Sequence, residues 1–233
     1  YDLMNINGLI NYLSYEYDLI YLFVNYTIVN DANIIFKNIS NIILVESNNF
    51  NKIDKKYSNC KIIKLGIYNE KCIKNLNIND SSINYFEYFY NQLNLNYDIK
   101  YKYEYLDRDM YGENKYFEKI KNFFKDGYIF YYNKNKDFII NDVKCIFNPI
   151  YNYYEDDSFN KNKWIDIKYN NIFDLLEIIE NAEEIHLFDI DLYSVMPYLN
   201  LDNVKNKYIY HNNIMIKEYH KKLKDFRFIY YNK

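Results

Sequence analysis

The residues best suited to chemistry are few, and they sit where apolar runs end. His186 lies in Glu184-Ile-His-Leu-Phe188, and Asp189 and Asp191 come directly after it. An imidazole there either orients the turn beyond it, touches a ligand in that turn, or hydrogen-bonds the backbone. Asp189 either accepts from a ribose hydroxyl or caps a helix starting near Leu192, and Asp191 can cap equally well. Asn133 and Lys134 leave the run Tyr128-Ile-Phe-Tyr-Tyr132 in the same manner. Lys134 either neutralises a phosphate or is a solvated lysine in a polar turn. Arg108, one of two arginines with Arg227, either forks onto phosphate or carboxylate or pairs with Asp107 or Asp109. Cys60, Cys72 and Cys145 are odd in number and lack metal-ligand spacing, so they read as reduced thiols of a cytoplasmic protein with no metal centre. No HExxH, GxSxG, GxGxxG or P-loop pattern occurs, which removes the usual support for metallopeptidase, hydrolase-elbow and P-loop readings.

The elements that must hold these residues are legible in hydrophobic spacing. Asn171 to Leu199 is the organising stretch. Ile172, Leu175, Leu176 and Ile179 recur at helical spacing, with Asn171 placed to cap and Asp174 in the first turn. Glu184 to Phe188 is short and apolar, as in a buried parallel strand. Leu192, Val195, Met196 and Leu199 form a second helical stripe, interrupted by Pro197. Helix, strand, turn, helix predicts an α/β fold with mostly parallel sheets, and ligands in such folds bind outside the carboxyl ends of strands. The turn Phe188 to Asp191 is therefore the first place to expect a site.

Upstream, Asp2 to Tyr17 predicts a helix with Ile6, Leu9, Ile10 and Leu13 on one face. Asn5 or Asn7 is placed to cap it. Gly8 inside it either admits a neighbouring backbone or ligand or is merely tolerated. Leu19–Val24, Ile42–Glu46 and Lys61–Ile67 read as strands, with Asn33–Ile39 a short helix between the first two. Tyr85–Leu93 reads as a helix and Asp98–Tyr105 as extended, since Lys and Tyr alternate from Ile99. Arg108–Gly112 reads as a polar linker, which divides the chain into 1–107 and 108–233. Glu113–Lys125 is an amphipathic helix stopped by Gly127. Tyr128–Tyr132, Lys144–Pro149, Tyr208–His211 and Arg227–Tyr231 read as strands, and Tyr151–Lys163 as an acidic, polar loop.

Composition bounds the function. Hydrophobic residues make up 49% of the 233 positions and aromatics 21%, enough for a sizeable core. Tyr occurs 31 times against one Trp, four Gly and two Pro, and Asn is commoner still. The codons of Asn, Lys, Ile, Tyr and Phe are AT-rich, so an AT-rich genome explains the bias without a functional tyrosine surface. A net charge of −3 argues against nucleic acid as a partner. No run approaches the roughly 20 apolar residues of a membrane span.

Taken in order, these elements resemble a GT-B-type glycosyltransferase of the small kind found in bacteria and large viruses. The resemblance is carried by Asp2-Leu-Met-Asn-Ile-Asn-Gly-Leu-Ile-Asn-Tyr-Leu-Ser14 followed by Tyr17-Asp-Leu-Ile-Tyr-Leu-Phe-Val24, by Phe86 to Leu95, and by Tyr128 to Tyr132. It is closest from Asn171-Ile-Phe-Asp174 through Glu180-Asn-Ala-Glu-Glu-Ile-His186. It implies two Rossmann-like lobes facing a cleft, 1–107 on the acceptor side and 108–233 binding a nucleotide sugar, with the first strand of the amino-terminal lobe missing. It implies transfer of a sugar to a glycan or other hydroxyl acceptor, with no metal and no cofactor beyond the nucleotide-sugar donor. On this resemblance Asp2 is the base, Asn5 and Asn7 line the acceptor side, and Tyr132, Asn133, Lys134, His186, Asp189 and Asp191 face the donor. Three positions depart from the family. Ile190 and Asp191 stand where small hydroxyl residues leave room for phosphate, Tyr132 stands where His is frequent, and Tyr1 where a Gly precedes the acidic turn. A non-catalytic relative that binds or scaffolds is the alternative these departures leave open.

Overall fold

The structure, a computed structural model, describes residues 2–47, 56–63, 85–122, 124, 127–132, 145–148, 153–156, 161–164, 171–188, 192–211 and 223–230. The chain forms two compact units, Tyr1–Asp107 and Arg108–Lys233. The fold is mixed α/β with parallel sheets, compatible with a Rossmann-like arrangement.

In the first unit, α1 (Asp2–Glu16) leads to β1 (Ile20–Val24), α2 (Val29–Phe36) and β2 (Ile42–Glu46). β1 and β2 pair in parallel, from Ile20 opposite Ile42 to Val24 opposite Glu46. α1 buries more than the single stripe expected of it. Leu3, Met4, Leu9, Ile10 and Leu13 are all buried, and so are Asn5, Asn7 and Asn11. A helix buried on several faces must satisfy its polar side chains internally, and these asparagines all find partners within the first unit. α2 starts four residues earlier than its apolar spacing indicates. Of the expected strand Lys61–Ile67, residues 61–63 carry no strand and the rest lies outside the described residues.

After α3 (Tyr85–Asn91), Asp98–Tyr103 forms a helix, α4, and not the extended segment predicted from its alternation. The alternation is compositional only. Contacts at helical spacing accompany the helix: the Tyr97 and Tyr101 rings lie 5.6 Å apart, and the Lys100 ammonium lies 5.3 Å from the Tyr97 ring centroid. α4 packs on α1 at Gly8, where the approach is backbone to backbone.

In the second unit, Asp109 caps α5 (Met110–Lys121) by accepting from the Gly112 N–H. The expected linker Arg108–Gly112 is therefore mostly helix, because Asp109 supplies the missing acceptor for the first turn. Ile120 and Phe124 are buried, and Gly127 takes φ +91°, the left-handed turn expected to end this segment. Among the described residues seven strands follow: β3 (Ile129–Tyr132), β4 (Cys145–Asn148), β5 (Tyr153–Asp156), β6 (Lys161–Trp164), β7 (Glu184–Leu187), β8 (Asn206–His211) and β9 (Arg227–Tyr230). They form one sheet in the order β6-β5-β4-β3-β7-β8-β9. β4, β3, β7, β8 and β9 run parallel, and β5 and β6 add an antiparallel edge. The segment expected as a polar loop thus contains a hairpin. Polar and charged residues are tolerated in edge strands, where they also discourage pairing with other chains.

β7 is flanked by β3 and β8, and Ile185 and Leu187 have no exposed surface. Before it, Asn171 caps a 3₁₀ turn, Ile172–Leu175, that continues into α6 (Leu176–Glu180). Asn171 accepts from the N–H groups of Phe173 and Asp174, and Asp174 accepts from the Asn171 N–H, a reciprocal capping box. After β7 the second helical stripe keeps Leu192, Val195 and Met196 buried but forms only short turns, the last a 3₁₀ turn at Met196–Tyr198. Pro197 lacks the N–H a continuing α-helix would use.

Candidate functional site

Among the described residues, the five parallel strands of the second unit lie in the order second, first, third, fourth, fifth by chain position. From β3 the chain passes to β4 on one side and later to β7 on the other. The connections therefore diverge between the carboxyl ends of β3 and β7, and such a switch point opens a crevice for ligands in α/β sheets. At those ends stand the buried Tyr131 and Tyr132 of β3 and His186 and Leu187 of β7, with Phe188 just beyond.

Register sorts these side chains by face. Tyr131 pairs with His186, and His186 with Tyr208, while Tyr132 pairs with Leu187 and Leu187 with Ile209. Side chains alternate along a strand, so Tyr131, His186 and Tyr208 share one face and Tyr132, Leu187 and Ile209 the other. Two residues expected at one donor site, Tyr132 and His186, thus stand on neighbouring strands but on opposite faces. Tyr132 is buried and stacks at 6.3 Å with Phe130, which has no exposed surface. It belongs to the face of the sheet that carries Phe130, Leu187 and Ile209.

The His186 face is aromatic. The imidazole Nδ1 lies 2.9 Å from the Tyr210 hydroxyl, and Nε2 lies 3.5 Å from the Glu184 carboxylate. The Tyr210 ring stacks on Phe188 with centroids 4.0 Å apart and planes within 2° of parallel. The Tyr193 hydroxyl donates to the Tyr210 carbonyl at 3.1 Å, and Tyr131 contacts Phe188 at 5.1 Å. A chain of contacts therefore runs from His186 through Tyr210 to Phe188, the last described residue before the switch-point turn. Burial lowers the His186 pKa below its ordinary value and outweighs the Glu184 carboxylate, which pulls it up. A neutral ring can accept from the Tyr210 hydroxyl. Phe188 opens the turn where a site is expected, but Tyr210 does not stand out in the sequence as a site residue. The signal for Tyr210 is the alternation Tyr208-Ile-Tyr210, which places both tyrosines on one face of β8.

Asn133, Lys134, Asp189, Ile190 and Asp191 lie outside the described residues. Asp2 is the first residue of α1, and its side chain lies outside them as well. Asn5 and Asn7 neither cap α1 nor stand open to a ligand. Asn7 donates to the Tyr105 carbonyl at 2.7 Å, and Asn11 donates to the Asn7 side chain and the Tyr103 carbonyl at 2.6 and 2.8 Å. The Asn5 side chain accepts from the Lys100 ammonium at 3.0 Å, in a buried contact. These amides fasten the chain at and after α4 to α1. Their helical positions 7 and 11 lie one turn apart, a spacing that could have revealed a shared task.

Arg108 forks onto two carboxylates. It meets Glu113 at 2.5 and 3.1 Å and Glu180 at 2.5 and 2.9 Å. The partners are thus not the adjacent aspartates expected from sequence. Burial alone would lower its pKa, but the hydrogen bonds to Glu113 and Glu180 outweigh it and hold the guanidinium charged. Among the described residues no group of three or more His, Cys, Asp or Glu is placed to hold a metal ion. Among them, too, no helix is long and apolar enough to cross a membrane. No protein-family model, curated protein or solved structure matches the chain.

Proposed function

We propose that the chain is a metal-independent glycosyltransferase of GT-B type, with the nucleotide-sugar donor held by the second unit at the switch point between β3 and β7. The observation that supports this reading is the strand order, which reverses between β3 and β7, where α/β sheets commonly bind ligands; Asn133 and Lys134 follow β3 in the chain, and Asp189 and Asp191 follow β7. In this reading a base, for which Asp2 is the candidate, takes the proton of the acceptor hydroxyl as it attacks the donor sugar. Backbone N–H groups of the switch-point loops and the Lys134 ammonium offset charge on the departing diphosphate. His186 acts one step back, through Tyr210 and Phe188.

The test is calorimetric titration of the protein with uridine, guanosine, adenosine and cytidine diphosphates and their sugar conjugates. Saturable binding of one nucleotide family, lost on Lys134→Ala, is expected. No binding across the set would overturn the proposal.

Ile190 and Asp191 favour a second reading, a non-catalytic relative that binds or scaffolds, because bulk and negative charge oppose a diphosphate there. If nucleotide affinity arises only in the Ile190→Ser, Asp191→Ser double variant, the second reading holds.

A further inference from the structure

The first unit contains a hollow of about 880 Å³ at the opposite end of its sheet from the carboxyl ends of β1 and β2. Glu16, Tyr17 and Asp18 line it where α1 gives way to β1, and Asn38 to Asn41 line it just before β2. Tyr15 of α1 lines it too, and Lys102 to Tyr105 with Asp107 form a further wall. The volume suits a small organic ligand.

Two features define what such a ligand is. The first is charge. Glu16, Asp18, Glu104 and Asp107 line the hollow against one lysine, Lys102, so an anion such as a nucleotide or phosphate is disfavoured. The second is the state of the tyrosine rings. The Lys102 ammonium already lies over the Tyr103 ring at 5.2 Å. The Lys61 ammonium lies over Tyr17 at 5.2 Å and touches its hydroxyl oxygen at 2.6 Å. Resident lysines thus already lie over ring faces a ligand cation would seek. Tyr15 and Tyr105 differ. They are 79% and 64% exposed and offer broad rings at the rim. Exposed aromatic rings beside carboxylates, amides and hydroxyls, at a place that repels anions and has its own cations, match a neutral polyhydroxylated ligand. Such a ligand lays its C–H face on a ring and spends its hydroxyls on planar acceptors.

We infer that this hollow is a carbohydrate-binding site, with Tyr15 and Tyr105 as stacking platforms and Glu16, Asp18, Asn38 and Asp107 as hydrogen-bonding partners for sugar hydroxyls. It lies away from the carboxyl ends of the strands and does not depend on the transferase reading. A glycan held there is tethered, not transformed.

The experiment titrates the full chain with neutral oligosaccharides (gluco-, manno-, xylo-, galacto- and chito-oligomers), reading tyrosine fluorescence and ligand-observed NMR. Spermidine is a parallel arm. At least one neutral oligosaccharide should bind saturably. Tyr15→Ala and Tyr105→Ala should each weaken it about ten-fold, while Tyr111→Ala, at an 85% exposed ring in the second unit, leaves it unchanged. Both platform rings are exposed, so their loss spares the fold, and circular dichroism checks this. No saturation by any oligosaccharide up to about 10 mM, equal binding by the platform variants, or tight binding of spermidine alone would each overturn the inference.

Discussion

Gly8 of α1 and Lys100 of α4 stand backbone against backbone: a Cβ built on Gly8 would lie 2.7 Å from the Lys100 Cα. A main-chain atom cannot swing aside as a side chain can, so the helices would have to separate. Gly8→Ala gains about 1 kcal/mol of helix propensity but forces overpacking that costs about 3 kcal/mol. The net expectation is a loss of about 2 kcal/mol, read from the urea midpoint. A variant as stable as the parent would show that the two helices do not approach so closely.

The asparagines of α1 lead to a second expectation. Asn7 is fully buried and bonded to both the Tyr105 carbonyl and Asn11. Asn7→Ala leaves the Asn11 amide and a carbonyl short of partners, at a cost of about 2 kcal/mol. Because the role is structural, nucleotide affinity should not change once the folded fraction is matched by calorimetry. An unfolding midpoint equal to the parent's would overturn this structural role.

Much of the fold was legible because burial in a parallel sheet writes itself as short apolar runs. Glu184-Ile-His-Leu187 is such a run, and it is flanked by strands on both sides. The capping box at Asn171 was legible for a local reason, since both partners lie within one turn. The misreadings share a different cause. Asp98–Tyr103 alternates Tyr and Lys in a chain saturated with both, so period two carried no information about burial. Only Lys100 of that helix is buried, and it is held by Asn5, 95 residues away. Arg108 likewise takes Glu180 from 72 residues off, which no local spacing reveals. At the candidate site, the strand ends were legible from sequence. The face of each side chain was not, because it depends on register with strands far along the chain.

Arg108 joins the start of the second unit to α5 and α6. The Glu113 side chain is 2% exposed, and those of Arg108 and Glu180 are 15% exposed. Arg108→Met strands two carboxylates that have left most of their water, so a loss of about 3 kcal/mol is expected, the lower end for a broken buried pair because some solvent access remains. Arg108→Lys should recover less than half, since an ammonium cannot fork onto two carboxylates. Urea unfolding of the three proteins checks the ranking. Full rescue by lysine would mean that charge alone matters.

Glu177 belongs to the same cluster and pulls the other way. Burial, then the neighbouring Glu113, raises its pKa, and Arg108 only partly offsets this. A carboxyl with a raised folded-state pKa contributes most when protonated, at pH below its ordinary value. That contribution is lost as pH rises through the folded value. Glu177→Gln should therefore stabilise the protein at pH 7, by no more than about 1 kcal/mol, and the gain should shrink towards pH 4. Thermal melts of both proteins across that range test the sign, which must be positive at neutral pH.

His186 couples stability to pH in the opposite sense. Its folded-state pKa is lowered, first by burial, against the upward pull of Glu184. The folded protein thus holds the proton less readily than the unfolded chain. The stability linked to this residue is full above the ordinary value of about 6.5 and is lost as pH falls through the folded-state value. His186→Phe removes that acid sensitivity while giving up the Tyr210 contact, at about 1 kcal/mol near pH 8. The curves of stability against pH for parent and variant should therefore converge as pH drops from 8 to 5. Tyr210→Phe keeps the imidazole and its neighbour Glu184, so it should retain the acid sensitivity. If the variant and parent curves stay parallel, burial does not lower the His186 pKa; if they diverge as pH falls, the folded state holds the imidazole charged, and the neutral ring accepting from Tyr210 is the wrong description of this face.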